Sequence, residues 1–359
     1  MGAAPRVAVA LSGGVDSATA AALLLEQGWE VIGLTMQLWD HGRSTPAGSR
    51  TCCALEDVHD ARQVAQTLGI PFYVVDFEAP FRATVVADFI ATYARGQTPN
   101  PCIRCNQNLK FDRLLGKARA LGADFLATGH YAEIRHPADG PPQLWRGRDR
   151  DKDQSYFLFA TTPAQLRHLL FPLGALRKEE TRALAARFGL HLATKRDSQD
   201  VCFVPDGDLQ VFFRRHAPAL AEPGPIVDRH GTVLGRHRGL GCHTIGQRRG
   251  LGLGQGDGPW YVSAIDPATN QLVVGPERDL YKEELQVRQI NWLGDGPLDT
   301  PRPVQARIRY AARPEPALLI PLGEEQALVR FTRPQRAITP GQACVFHQGE
   351  RLLGGGWIT

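Results

Sequence analysis

No run of eighteen apolar residues occurs in the sequence, and the apolar stretch near the N-terminus breaks off at a glycine-containing loop. The first absence excludes a single hydrophobic membrane-spanning helix, and the second leaves no h-region for a secretion signal. Arg6 also breaks the N-myristoylation pattern. A cytoplasmic protein is the expectation. Neither an internal repeat nor a low-complexity tract is found. Seven cysteines are present, an odd number without a secretion signal, which argues against a disulfide scaffold. A strong excess of charge is missing too. Residues 1–210 carry 23 Lys+Arg and 23 Asp+Glu, so the whole net charge of +4 falls in 211–359, with 18 against 14. That bias does not establish nucleic-acid binding, but it says which half to suspect.

What is there is a chain of 359 residues, 43% apolar and 22% charged, enough for two or three globular domains. RVAVAL (6–11) reads as a buried strand, SGGVDS as a loop, and the following residues to about Gln27 as a helix with Gly28 suited to its C-cap. Strands at 30–39, 72–77 and 124–130 alternate with helices at 54–69, about 80–95 and about 107–121. Such alternation predicts an α/β fold, a parallel sheet flanked by helices, with ligands at the carboxyl ends of strands. SGGVDS, Met36 and Gly129–His130 all fall at such ends. After about residue 210 the texture changes. Eight glycines lie between 239 and 258, and strand-like WYVSAID and QLVVG flank a PATN turn. From 283 onward only short strands with Pro/Gly turns are found, which predicts a small C-terminal β-barrel. The expected domains are 1–210 catalytic, 211–280 small, central and β-rich, and 281–359 barrel.

SGGVDS (12–17) between strand and helix offers consecutive backbone N–H groups and a helix N-terminus, an anion cradle. It is not a Walker A loop, because GxxxxGK[ST] is absent. A plain glycine turn capped by Asp16 or Ser17 is the bland alternative. The loop resembles the PP-loop of ATP pyrophosphatases, which split ATP into AMP and pyrophosphate and so turn an oxygen into a leaving group. TPNPCIRCNQNLKFD (98–112) carries a CxxC that is open to four readings: zinc knuckle, redox pair, iron–sulfur corner or catalytic thiol. A structural zinc site wants four ligands, and neither a second CxxC nor an HxxxH occurs. VCFV (201–204) taken alone reads equally well as a buried strand with an apolar cysteine.

Those blocks, with GHYA (129–132), RDKDQSYFL (150–158), KRDSQDVCFV (195–204), HTIGQRRGLGLG (243–254), ARIRY (306–310) and FTRPQRAITPGQACVFHQGERLLGGGWI (331–358), together resemble the tRNA-specific 2-thiouridylase family over essentially the whole chain. The resemblance implies a Rossmann-like PP-loop domain and ATP-dependent 2-thiolation of the wobble uridine of tRNA, those for Lys, Glu and Gln among them. It implies ATP contacts at Ala10, Leu11, Ser12, Gly13, Gly14, Val15, Asp16, Ser17, Met36 and Gly129, with Mg2+ beside the phosphates. It assigns the sulfur chemistry to Cys105 and Cys202, the latter as persulfide carrier, and places Asn100, Pro101 and Cys102 beside a splayed-out target base. tRNA contacts are implied at His130, Lys152, Asp153, Gln154, Arg309, Tyr310 and Gln342. A cysteine desulfurase or a persulfide relay protein is the implied sulfur donor.

This chain departs from the family at Cys102, where many members have Asp. That makes Cys102, Cys105 and Cys202 a conceivable three-thiolate set for an iron–sulfur cluster. Lowered thiol pKa values are expected to come from Arg104, Arg196 or a helix N-terminus near Asn106. Arg248 and Arg249 are plausible phosphate contacts from chemistry alone. Cys52 and Cys53 read as helix-start residues without a role, and Cys242 and Cys344 as structural. Two rivals remain. A small-molecule amidotransferase predicts a glutaminase domain, and a non-catalytic RNA binder predicts decay in the loop or the cysteine blocks; neither feature is visible.

Overall fold

The computed structural model describes residues 4–39, 55–195, 201–204, 207–254 and 258–359. It divides into two units, one of 1–85, 102–206 and 350–353, the other of 86–101, 207–349 and 354–359. Cys52, Cys53 and Arg196, singled out above, lie outside the described residues.

In the first unit β1 (Arg6–Ala10) is buried because its RVAVA sequence offers apolar side chains to both faces. It leads through the 11–14 loop into α1 (Val15–Glu26), followed by β2 (Glu30–Gln37), α2 (Leu55–Leu68), β3 (Phe72–Asp76) and β4 (Phe125–Ala127). β5 (Ala132–Arg135) and β6 (Gln143–Arg146) form an antiparallel hairpin, and β7 (Leu169–Leu170) returns to the first sheet. That sheet has the order β3-β2-β1-β4-β7 and is parallel throughout. The chain builds outward from β1 to β3 on one side and then restarts at β4 on the other. The reversal opens a crevice at the carboxyl ends of β1 and β4, the position where open α/β sheets bind ligands. Val7, Val9 and Leu11 pack against Ala18, Ala21 and Ala22 of α1 and Ala61, Val64 and Ala65 of α2. Fully burying each valine is worth roughly 1.5–3 kcal/mol, and the alanines let both helices approach the sheet closely. Residues 350–353 also group here, Arg351 and Leu352 pairing with Trp145 and Leu144 of β6.

In the second unit β8 (Gly224–Val227), β9 (Val233–His237), β10 (Tyr261–Asp266) and β11 (Gln271–Gly275) form a sheet of order β10-β11-β8-β9. The PATN turn takes the expected place, with Asn270 in the left-handed region at φ 52°. β12 (Tyr281–Trp292), β13 (Arg302–Arg307), β14 (Glu315–Pro321), β15 (Gln326–Arg336), β16 (Ala343–Gln348) and β17 (Arg351–Ile358) run in the order β12-β15-β14-β13-β16-β17. The barrel closes through antiparallel pairs such as Val287 with Ile358 and Trp292 with Gly354. Residues 86–101, which the sequence reading places in the first domain, group with this unit. Phe89 and Tyr93 of the Ala87–Ala94 helix pack on Phe212 and Phe213 of the Leu209–His216 helix, Phe89 stacking on Phe213 at 6.0 Å.

Two local expectations change. The helix foreseen from about 107 begins at Pro101 and runs as α-helix to Cys105, π-helix over Asn106–Leu114 and α-helix over Leu115–Ala120. Proline fits the first helical position, where its missing N–H costs nothing. VCFV is a turn rather than a strand. Val204 N–H donates to the Val201 carbonyl at 2.9 Å.

Candidate active site

The 11–17 loop is anchored to the sheet at its start. Leu11 N–H donates to the Leu34 carbonyl and Thr35 Oγ1 to the Leu11 carbonyl, both at 2.8 Å. Ala10 ends β1, and Leu11 is core. Gly13 sits at φ 69°, and a Cβ there would collide with the Asp57 carbonyl oxygen and lie 2.7 Å from the Asp57 Cα. Both its conformation and its surroundings therefore demand glycine. Gly14 is the N-cap of α1, and no side chain caps that helix. The N-cap glycine thus offers the first amides of this twelve-residue helix no side-chain acceptor, which suits a phosphate. Ser17 Oγ accepts from Ser12 N–H at 3.1 Å, donates to the Gly14 carbonyl at 3.1 Å and lies 3.2 Å from Ser12 Oγ, so the loop is knitted internally. Val15 is buried beneath it.

Gly129, after β4, presses on this loop. A Cβ there would lie 2.8 Å from both the Asp16 carbonyl carbon and the Ser17 nitrogen. The two strand ends that the topology directs into one crevice therefore touch. Met36 lies half-buried one residue before the end of β2.

Sequence reading missed the charges that fix this loop. Lys178 Nζ donates to both Asp16 carboxylate oxygens at 2.8 Å, and Tyr131 Oη donates to Asp16 Oδ1 at 2.9 Å and lies 3.0 Å from Thr181 Oγ1. The Lys178 side chain is only 10% exposed, so this pair is worth more than a surface salt bridge. Lys195 Nζ donates to the Gly13 carbonyl at 2.9 Å, Asp57 Oδ1 at 2.7 Å and Asp60 Oδ2 at 2.6 Å. Burial alone would lower Lys195, but the hydrogen bonds to Asp57 and Asp60 outweigh it and raise its pKa. Burial would likewise raise Asp60, and the bonds from Lys195 and His191 hold it below the usual range. Tyr131 and Lys195 stand inside the quoted blocks GHYA and KRDSQDVCFV, which was the available signal; Lys178 carried none.

Of the cysteines, Cys102 is exposed and Cys105 half-buried, one helical turn apart on the helix that starts at Pro101. The helix N-terminus therefore lies beside Cys102, not near Asn106 as expected. Asn106 is buried and its Nδ2 donates to the Phe157 carbonyl at 3.1 Å. Arg104 Nη1 donates to Gln107 Oε1 at 3.1 Å. Cys202 is half-buried on its turn, which Phe203 pins by packing against Phe81 at 5.4 Å and Trp39 at 6.4 Å. Among the described residues, which include all three cysteines, no group of three or more His, Cys, Asp or Glu side chains is gathered to hold a metal ion. Cys344 is fully buried, and burial pushes its pKa well up, while Cys242 is raised by burial too; both suit the structural role expected of them.

The residues expected at tRNA divide. His130 is half-buried between Phe111 and Phe171, its Nδ1 2.6 Å from Thr128 Oγ1. Burial, then the nearby Lys110 charge, hold its pKa well below the ordinary value, so the ring is neutral. Asp153 turns inward. Its carboxylate is buried, accepting from Arg146 Nε at 2.8 Å and from the Gly147 and Ser155 N–H groups. Burial would raise it, but the Arg146 and Ser155 hydrogen bonds keep it low. It shapes the 147–155 turn and does not face outward. Gln154 and Tyr131 exchange hydrogen bonds at 2.9 and 3.1 Å, and Lys152 is half-buried on the same turn. Arg309 is turned inward, one nitrogen donating to the Ile245 and Ala337 carbonyls and to Thr339 Oγ1. Tyr310 beside it is exposed. Gln342 Nε2 donates to the Thr98 and Pro99 carbonyls at 3.1 and 3.0 Å, fixing the segment that leads to Asn100 and Pro101.

Residues 5–206 match the family described as "tRNA methyl transferase HUP domain", 210–276 "tRNA methyl transferase PRC-barrel domain" and 282–358 "Aminomethyltransferase beta-barrel domain". The chain is 64% identical over 353 residues to the tRNA-specific 2-thiouridylase MnmA of Magnetococcus marinus, covering 98% of both chains. It is 55% identical to that of Paramagnetospirillum magneticum, covering 98% of this chain and 95% of the relative. For Geotalea uraniireducens the identity is 51%, with 98% and 94% covered. With that similarity running from end to end, the chain belongs to the tRNA-specific 2-thiouridylase family.

Proposed function

We propose that this protein is a tRNA-uridine 2-sulfurtransferase that uses ATP to replace the C2 oxygen of the wobble uridine with sulfur, in the cytoplasm. The observation that carries the reading is the full-length similarity to 2-thiouridylases. The uncapped start of α1 behind a glycine loop supports it, because that is where a triphosphate would lie.

A uracil carbonyl oxygen is a poor leaving group. In the first step it attacks the α-phosphorus of ATP, pyrophosphate departs, and the oxygen becomes part of AMP. The 10–17 segment positions the phosphates, and Met36 and Gly129 border the nucleoside. Mg2+ would be held mainly by the phosphate oxygens, because the loop carboxylate Asp16 is already bound by Lys178, and it would neutralise charge on the departing pyrophosphate. Cys202 carries a persulfide delivered by a cysteine desulfurase or a relay protein fed by one. The terminal sulfur attacks C2 and expels AMP, leaving a C2–S–S–Cys202 linkage. The Cys105 thiolate attacks Cys202 Sγ, the bond to the transferred sulfur breaks, and 2-thiouridine is released. Cys105 and Cys202 are left joined, and an external dithiol reduces them before the next turnover.

Asn100, Pro101 and Cys102 border the extruded base. Lys152, Gln154 and Tyr310 are the tRNA contacts, with His130 as a neutral stacking or hydrogen-bonding surface. Asp153, Arg309 and Gln342 act as positioning residues through the turns they hold.

The test is pyrophosphate release with and without unmodified tRNA, beside thiolation from a persulfide donor. Release that needs tRNA, with Cys105→Ser and Cys202→Ser blocking thiolation but not release, is the expected result. Release that ignores tRNA sinks the assignment. Cys102→Asp should keep activity.

A further inference from the structure

Between the Ala87–Ala94 helix and the helix that starts at Pro101, residues 95–100 form neither helix nor strand. Their backbone polar groups must therefore find partners elsewhere. Thr98 N–H donates to the Pro340 carbonyl at 2.9 Å, and the Thr98 and Pro99 carbonyls both accept from Gln342 Nε2. Pro99 has no N–H to satisfy. One turn of the barrel, 340–342, thus takes all three backbone groups of this dipeptide. That turn is itself fastened to the last strand. Gly341 N–H donates to the Ile358 carbonyl and Ile358 N–H to the Gln342 carbonyl, each at 2.9 Å. On the side of the central module, Thr98 Oγ1 lies 3.3 Å from Thr244 Oγ1.

The packing is as close as the hydrogen bonding. Gly341 is left-handed at φ 86°, and a Cβ on it would lie 2.9 Å from both the Thr98 carbonyl oxygen and Thr92 Cγ2, and 3.0 Å from Gln97 Cβ. Gly96 is left-handed at φ 69°, and a Cβ there would lie 2.8 Å from the Ile265 carbonyl oxygen and 3.1 Å from Pro267 Cδ. The barrel grips the stretch at Gly341 and the central sheet grips it at Gly96, each through a methyl that is missing. Irregular connections are ordinarily the loosest parts of a fold. This one is held by two modules at once. It ends at Asn100 and Pro101, which the functional reading places beside the target base.

We propose that the 340–342 turn is the mould that sets the approach to the target base, with Gly341 and Thr98 as positioning residues for the adenylation step. The inference rests on the sulfurtransferase reading and adds to it a task for the barrel besides touching RNA: the barrel shapes the segment that receives the uracil. Gly341 and Thr98 act through Asn100 and Pro101 rather than on the substrate. Misplacement of a reacting group by about 1 Å costs about a hundredfold in rate, so the smaller shift forced by a Cβ on Gly341 should cost about tenfold. The experiment uses full-length protein and an unmodified tRNA transcript. It reads tRNA affinity, ATP affinity, melting temperature and the rate of pyrophosphate release with tRNA and ATP both saturating. Gly341→Ala and Gln342→Met should each lower that rate about tenfold and leave both affinities unchanged. Gly296→Ala is the control. Gly296 is also left-handed, at φ 64° in the β12–β13 loop, but a Cβ there meets nothing within 4 Å, so its melting temperature should fall and its rate should not.

Wild-type rates in Gly341→Ala and Gln342→Met overturn the inference while leaving the sulfurtransferase reading intact. A weakened tRNA affinity with the full rate at saturation makes the turn an RNA contact and also overturns it. Equal rate losses in Gly296→Ala and Gly341→Ala would mean that barrel stability alone governs the rate, which overturns it too. Should Gly341→Ala fail to fold, Gln342→Met decides, because it removes two hydrogen bonds with little change of bulk. Wild-type release that ignores tRNA removes the functional reading and the inference together.

Discussion

Two glycine-rich loops serve this chain, and they are glycine-rich for opposite reasons. In the 12–17 loop the protein itself forbids side chains. Gly13 is left-handed and abuts the Asp57 backbone, and Gly129 abuts Asp16 and Ser17. In the 250–254 loop nothing within the described residues stands near the missing Cβ of Gly252 or Gly254. The first loop is compressed from inside and clamped by Lys178 and Lys195. The second is held at its base by β10 and by Leu251 and Leu253, which pack into the core of the central sheet. Glycine content alone does not distinguish a preorganised cradle from a looser surface loop; the neighbours of the absent methyl do.

The sharpest way to break this contrast is Gly13→Ala. The left-handed conformation costs an alanine about 1–2 kcal/mol, and the Asp57 backbone must also move. Because misplacement by about 1 Å costs about a hundredfold in rate, tRNA-dependent pyrophosphate release should fall at least that far. An alanine variant with normal release would show that the loop is not compressed.

Lys195→Met comes next, with an expected drop of about tenfold in the same assay and a lower melting temperature. The pH dependence carries its signature. Asp60 has a depressed pKa, so its contribution to stability is present above the unfolded carboxylate value near 3.9 and is lost as pH falls through the lower folded value. Lys195 has a raised pKa, so its contribution is present below about 10.4 and is lost only as pH rises through the higher folded value. The stability difference between wild type and Lys195→Met should therefore be flat from about pH 5 to 9 and shrink below about pH 4. A difference that changes across neutrality would mean that other groups hold the loop.

Gly254→Ala should have the smallest effect. Stability should stay within about 0.5 kcal/mol, as for other surface changes, and tRNA-dependent pyrophosphate release should be unchanged. A melting shift as large as that of Gly13→Ala would erase the distinction between the two loops.

Strand–helix alternation made the parallel sheet legible, and the texture change near 210 announced the β modules. The 12–17 loop and Gly129 were legible because a switch point is a topological property. Lys178 was not, because a lysine at a helix start looks like solvated surface until folding brings it to Asp16, 162 positions away. The β5–β6 hairpin and β8–β9 were missed because their charges, prolines and glycines blur the period-two pattern. The start of the cysteine helix at Pro101 was hidden by TPNP, which reads as loop although proline is at ease in a first turn. Cys202 was ambiguous because an apolar quartet suits a strand and an anchored turn equally; the Val201–Val204 bond decides it.

Arg351 and Leu352 pair with β6 within the first unit. A ribosome finishes residues 1–206 long before it reaches that strand, so β6 waits through synthesis with this pairing unmade. An open β edge on a nascent chain is an adhesive surface. Translation speed and chaperone cover over the last third of the message therefore bear on whether the ATP unit matures or aggregates, although those codons encode a different module.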